Sequence, residues 1–116
     1  MALMRIGTRI VGEGCEPLMF AEEGQANQGD INLAIKMCKK AAAAGADGIE
    51  FQFFLADDMY IRKDPGHATY RSKELAMEQI RDLITAAHGE GLIVQVAGLS
   101  PRIVELCAKA REGLND

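Results

Sequence analysis

Apolar residues along the chain switch between short continuous runs and helix-spaced stripes, in the repeated order strand then helix. Within Met4 to Gly12, two short β-prone runs around Gly7-Thr8 predict a small hairpin ahead of this series. Pro17-Leu18-Met19-Phe20-Ala21 is an apolar run too short for a helix, and the polar, glycine-punctuated stretch Glu22 to Gly29 follows it. A fully buried parallel strand and its loop have this pattern. Asp30 is placed to cap a helix in which Ile31, Ala34, Ile35, Cys38, Ala41 and Ala42 recur at helical spacing, and Gly45 supplies a stop. Gly48 to Phe54 predicts a second strand. A long connection from Leu55 to about Arg71 carries Asp57, Asp58, Lys63, Asp64, Pro65, Gly66 and His67. Ser72 is then the expected N-cap of a helix presenting Leu75, Ile80, Leu83, Ile84 and Ala87 on one face, closed by Gly89 and Gly91. Leu92 to Val96 predicts a third strand. Ser100 and Pro101 fit the N-cap and first position of a third helix, with Ile103, Val104, Leu106, Cys107 and Ala110 as its buried face.

The phrase Ala44-Gly45-Ala46-Asp47-Gly48-Ile49 returns as His88-Gly89-Glu90-Gly91-Leu92-Ile93, and Arg111-Glu112-Gly113-Leu114 begins it again. Strand–helix alternation with buried strands implies parallel pairing and right-handed crossovers, hence a doubly wound sheet or a (β/α)8 barrel. Gly24-Gln25-Ala26-Asn27-Gln28-Gly29 lacks the middle glycine of a dinucleotide-binding loop, which favours the barrel. A full barrel takes about 250 residues. The expected fold is therefore α/β, a partial (β/α)8 barrel in one segment, with a hairpin over 4–12 and three βα units over 17–116 of the 116 residues.

Thirteen Lys and Arg against 17 Asp and Glu give a formal charge of −4 with no basic run, which argues against nucleic acid and anionic membrane as partners. No apolar stretch approaches the roughly 18 residues of a spanning helix, and no secretory h-region opens the chain, so a cytoplasmic location is expected. Cys15, Cys38 and Cys107 are odd in number and widely spaced, which suggests neither a disulfide framework nor a zinc site.

Glu16-Pro17-Leu18-Met19-Phe20-Ala21-Glu22, then Gly24, Gly29-Asp30, Ala43-Ala44-Gly45-Ala46-Asp47 and Phe51-Gln52 resemble, in order and spacing, the start of the sialic acid synthases. These include the N-acetylneuraminate, legionaminate and pseudaminate synthases and the related spore-coat polysaccharide proteins. The resemblance implies a (β/α)8 barrel that condenses phosphoenolpyruvate with an N-acylated amino sugar to give a nine-carbon sugar acid and phosphate. It also implies a divalent metal, Mn²⁺ or Mg²⁺, whose histidine ligands lie outside this segment. The family's early catalytic glutamate falls on Glu22, at the C-terminal end of the first strand, where barrel enzymes keep their chemistry. Its sugar-facing glutamine falls on Gln52.

Departures from the family pattern fall on the substrate side. The family's phosphate-binding lysine aligns with Glu50. At about 4 Å and an effective dielectric near 20, a unit-charge interaction is roughly 4 kcal/mol, so the reversed sign is expected to abolish useful phosphoenolpyruvate affinity. The usual Asn-His pair appears as Ala26-Asn27, and a Thr-Pro-Phe-Ser type motif reads Ala97-Gly98-Leu99-Ser100, so Asn27 and Ser100 remain as candidate substrate contacts. These changes imply a diverged homologue, inactive as an isolated chain.

Strand side chains alternate, so of Glu22 and Glu23 one faces the barrel mouth and the other turns away. Glu22 is read as the site residue and Glu23 as part of a solvated loop entrance. Glu22 and Glu50, from adjacent strands, could make half of an oxygen-rich Mg²⁺ or Mn²⁺ site. That supports a second expectation, a metal-dependent sugar isomerase or epimerase, in which Gly45-Ala46-Asp47-Gly48-Ile49-Glu50 is also at home. A third is a non-catalytic partial barrel that self-associates or pairs with the missing C-terminal barrel half, because unpaired edge strands demand cover. His67 is expected to be an exposed loop residue, and His88 to meet a helix C-terminus. Cys38 and Cys107 fall on apolar helix faces as core residues.

Overall fold

The computed structural model describes residues 2–114. Met1 and the last two residues of the segment expected to run to 116 lie outside them. Strands β1 (Leu3–Ile6) and β2 (Arg9–Gly12) pair antiparallel as the N-terminal hairpin. There follow β3 (Phe20–Gly24), α1 (Ile31–Ala43), β4 (Gly48–Phe53), α2 (Ala56–Met59), α3 (Pro65–Lys73), α4 (Met77–Gly89), β5 (Ile93–Gly98) and α5 (Pro101–Ala110). The second sheet is parallel throughout, in the order β3-β4-β5. The fold is therefore α/β, three parallel βα units behind an N-terminal hairpin.

Local chemistry accounts for most boundaries. Asp30 accepts hydrogen bonds from the N–H groups of Asn32 and Leu33, two donors that a helix start leaves unpaired. Ser100 caps α5 in the same way through Ile103 N–H, with Pro101 at the first position. Gly48 opens β4 in a space no side chain could share, since a Cβ there would lie 2.4 Å from the Phe20 ring and 2.7 Å from the Ile93 carbonyl oxygen. Strand spacing at this point is thus set by glycine.

On one face of the sheet, Ile49, Phe51 and Phe53 of β4 pack under the helices with Ala34 and Cys38 of α1, Ile80, Leu83, Ile84 and Ala87 of α4, and Ile103 of α5. Val94 and Val96 of β5 join them. Burying each large side chain contributes about 1.5–3 kcal/mol, which is why this face dictates the register. The opposite face carries Glu22, Glu50, Gln52 and Gln95, the polar half of the alternation.

Several expectations are corrected. The first strand starts at Phe20 and extends through Glu22 and Glu23 rather than spanning Pro17 to Ala21. The β4–α4 connection is largely helical: Asp64 caps α3 by accepting from Gly66 N–H, and Pro65 follows at the first position, a start signal equal to that of Ser100-Pro101. Ser72 lies inside α3, and α4 begins after Ala76, whose N–H is taken up by the Gln79 side chain. Val104 is 53% exposed rather than buried.

The hairpin is fixed to the sheet through Asp47, just before β4. Arg9 forms an ion pair with its carboxylate, and Met19 N–H donates to Oδ2 over 2.8 Å. The Met19 N–H and the Arg9 guanidinium hold Asp47 below the usual carboxylate range.

Candidate functional site

Parallel strands in one sheet end on the same side, so the C-terminal ends of β3, β4 and β5 gather Glu22, Gln52 and the Ala97–Ser100 stretch at one rim. There, Gln52 Nε2 donates to Glu22 Oε1 over 3.1 Å. Gln52 Oε1 in turn accepts from Gln25 Nε2 over 3.2 Å. Two residues singled out from the sequence thus touch, and a third, Gln25, joins them. Gln25 carries no sequence signal of its own, because nothing in the polar stretch distinguishes it from Gln28.

Glu50 stands level with Glu22 on β3 and Gln95 on β5, two residues before Gln52 on the same face of β4. It is half-buried between the fully buried Ile49 and Phe51, and the open polar face solvates it. Among the described residues, no group of three or more His, Cys, Asp or Glu side chains stands where it could hold a metal ion. Two carboxylates fall short of the six or so oxygens that Mg²⁺ or Mn²⁺ takes, so the residues of this segment do not by themselves hold the implied metal.

Asn27 is 4% exposed and lies inside the β3–α1 turn. Its backbone N–H donates to Glu23 Oε1 over 2.8 Å, and its Oδ1 accepts from Gly29 N–H over 2.8 Å. The carboxylate that receives the first bond is the main surprise of the site. Glu23 is 6% exposed, not solvated as its place after an apolar strand suggested. The β3–β4 register shifts between Glu22 and Gly24, and Glu23 points under the helix layer near Cys38. Burial raises the Glu23 carboxyl above the usual range, against the lowering effect of its hydrogen bonds with Asn27. Burial, with a smaller contribution from the Glu23 charge, pushes the Cys38 thiol up to about 11.

Ser100 is tied at the end of β5. Its hydroxyl donates to Asp58 Oδ2 over 2.7 Å and accepts from Ile103 N–H, while Arg102 reaches Asp58 Oδ1 at 3.0 Å. Neighbouring Asp57 collects His67 Nε2 at 2.8 Å and Arg71 Nη2 at 3.0 Å. The hydrogen bond with His67, followed by that from Arg71, holds Asp57 below the usual range. His67 is consequently not a free loop residue: its side chain is 12% exposed and pins α2 to α3. His88 sits in the last turn of α4, as the sequence indicated.

No family profile matches the chain. Among solved structures, the spore coat polysaccharide biosynthesis protein SpsE of Bacillus subtilis superposes with a TM-score of 0.73 at 29% identity, covering 93% of this chain and 31% of that one. The N-acetylneuraminic acid synthetase of Leptospira borgpetersenii superposes with a TM-score of 0.80 over 94% of this chain and 38% of that one; at 18% identity it speaks for the fold. The chain resembles one part of a sialic acid synthase-type barrel. In sequence it is 37% identical to Bacillus subtilis SpsE over 78 residues, 66% of this chain and 21% of the relative. It is also 30% identical to an uncharacterized protein of Methanocaldococcus jannaschii over 109 residues, 94% of this chain and 32% of the relative. The chain thus spans about a third or less of these sequence relatives. Among the described residues, no helix of this synthase-like segment is long and apolar enough to cross a membrane.

Proposed function

We propose that the chain is the N-terminal, substrate-facing portion of a nonulosonic acid synthase-type barrel acting in carbohydrate biosynthesis in the cytoplasm. Its hairpin at 4–12 and its βα units over 17–116 form one segment. The observation that carries this reading is the bond from Gln52 to Glu22 at the C-terminal rim of adjacent parallel strands, where barrels place their chemistry. A carboxylate and a carboxamide held together offer acceptors and donors matched to the hydroxyl and N-acyl groups of an amino sugar. Asn27 and Ser100 support the rim rather than offering free groups, because both are engaged in turn and cap hydrogen bonds.

The isolated chain is read as diverged and inactive toward phosphoenolpyruvate, because Glu50 presents negative charge on the face an anionic substrate would approach. β3 and β5 are the outer strands of the sheet, so a further barrel portion or a second copy would complete it. The test is titration of the ¹⁵N-labelled chain with an N-acylated hexosamine, alone and with phosphoenolpyruvate and Mn²⁺. Shifts centred on Glu22, Gln25 and Gln52, with no phosphate release above background, are expected. An unperturbed rim at millimolar sugar would overturn the sugar-facing reading, and phosphate release would overturn inactivity.

The register pairing of Glu22 with Glu50 favours one second reading, a metal-dependent sugar isomerase or epimerase. Paramagnetic broadening by Mn²⁺ centred on these two residues and falling off with distance from them would support it, and broadening centred elsewhere on the acidic surface would count against it.

A further inference from the structure

Glu23 is a carboxyl side chain 6% exposed, with Oε1 accepting the Asn27 N–H and Oε2 without a hydrogen-bond partner among the described residues. Leaving a buried polar atom unpaired forfeits its hydration with nothing in return, so an apolar residue would serve the core better. What the carboxyl does instead can be followed bond by bond. It holds Asn27 N–H, and Asn27 Oδ1 holds Gly29 N–H. Backbone bonds from Ala26 N–H to the Glu23 carbonyl and from Gln28 N–H to the Gln25 carbonyl close the same turn. Gln28 is held at φ +51, a left-handed conformation that a non-glycine residue adopts only when its surroundings impose it. The turn carries Gln25, whose side chain meets Gln52, which meets Glu22.

We propose that Glu23 is the positioning residue of the rim: from beneath the sheet it fixes the 25–28 turn, so that Gln25 locks the Gln52 carboxamide onto Glu22. Glu23 touches no ligand. It sets the orientation of the two groups that would, and in that sense the inference rests on reading Glu22 and Gln52 as the ligand-facing pair. The device is built from the two neighbouring glutamates of one strand, one on each face. The bulge between Glu22 and Gly24 lets the chain turn immediately beyond them.

The experiment compares Glu23→Leu and Glu23→Gln in the full chain, without substrate. It reads amide hydrogen exchange at Asn27 and Gly29 and the side-chain amide signals of Gln25 and Gln52 by NMR, beside the melting temperature. In Glu23→Leu, loss of the buried acceptor should reduce protection at Asn27 about tenfold and move the two Gln52 side-chain signals toward free-amide positions, while amides of β4 keep their protection. Glu23→Gln retains an acceptor and should keep the parent pattern. Unchanged Asn27 protection and Gln52 signals in Glu23→Leu would overturn the proposal, as would equal loss in both variants. If Glu23→Leu fails to fold, the parent chain decides. Its Glu23 carboxyl carbon, Asn27 amide and Gln25 side-chain amide should then share one pH midpoint, with Cys38 on α1, Glu22 on β3 and Lys73 at the end of α3 as the other titratable groups facing the turn and with the Glu22 step, read at its own carboxyl carbon, set apart. A Gln25 signal that follows no part of the Glu23 midpoint would overturn the proposal. Since no substrate enters, failure here is distinguishable from failure of the proposed sugar binding.

Discussion

Glu22 and Glu50 are direct register partners across the parallel β3–β4 ladder, both on the face the helices leave open. Adjacent strands lie about 4.8 Å apart, so two like charges are held as neighbours. Such pairs are destabilising by roughly 0.2–1 kcal/mol, less at high salt. Glu50→Gln is therefore expected to raise stability by about 0.5 kcal/mol at low ionic strength, and chemical denaturation with and without 0.5 M salt, on the order of a 4 Å screening length, checks it. A lower stability for Glu50→Gln would mean that the Glu50 charge is compensated.

Gly29 closes the β3–α1 turn at φ +83, and a Cβ there would lie 2.8 Å from the Ser72 carbonyl oxygen and 2.9 Å from Lys73 Cα. Both the conformation and the contact exclude a side chain, and neither obstacle is a flexible side-chain end. Gly29→Ala should destabilise the fold by about 1–3 kcal/mol and separate the turn from the end of α3. Urea melts, with hydrogen exchange at Asp30, would show it.

Opposite pH limbs follow from the buried and surface carboxylates. Glu23 has a raised folded-state pKa, so its contribution to stability is full below its unfolded value, near 4.3, and is lost as pH rises through the raised value. Asp47 and Asp57 are lowered, so theirs is present above about 3.9 and is lost as pH falls through the lowered values. Glu23→Gln should remove the first dependence and leave the acid limb in place. Melting temperature measured against pH for the two proteins tests this directly.

The three cysteines should separate by reactivity. Cys38 is fully buried, and burial pushes both Cys38 and Cys107 up to about 11, so neither offers much thiolate near neutral pH. A thiol reagent should modify Cys15 first in the native chain, Cys107, equally part-exposed but with a raised thiol, more slowly, and Cys38 only on unfolding. Fast labelling of Cys38 would contradict the packing of α1 on β4.

Periodicity and punctuation by themselves determined the βα order, the parallel sheet, the Asp30 and Ser100 caps and the apolar sets of α1 and α4, because each depends on residues close in the chain. They also pointed to Glu22 and Gln52, through a resemblance whose pieces are local. The start signal of α3, Asp64-Pro65, was equally legible and was masked by the polar residues around it. Tertiary structure alone decided where Glu23 goes. Alternation says only that it turns away from Glu22; in a sheet covered on its outer face by helices, that direction leads into the core rather than into water. The convergence of Gln25, Gln52 and Glu22 was likewise beyond sequence, since it joins residues 27 and 30 positions apart through strand register and a turn held from below.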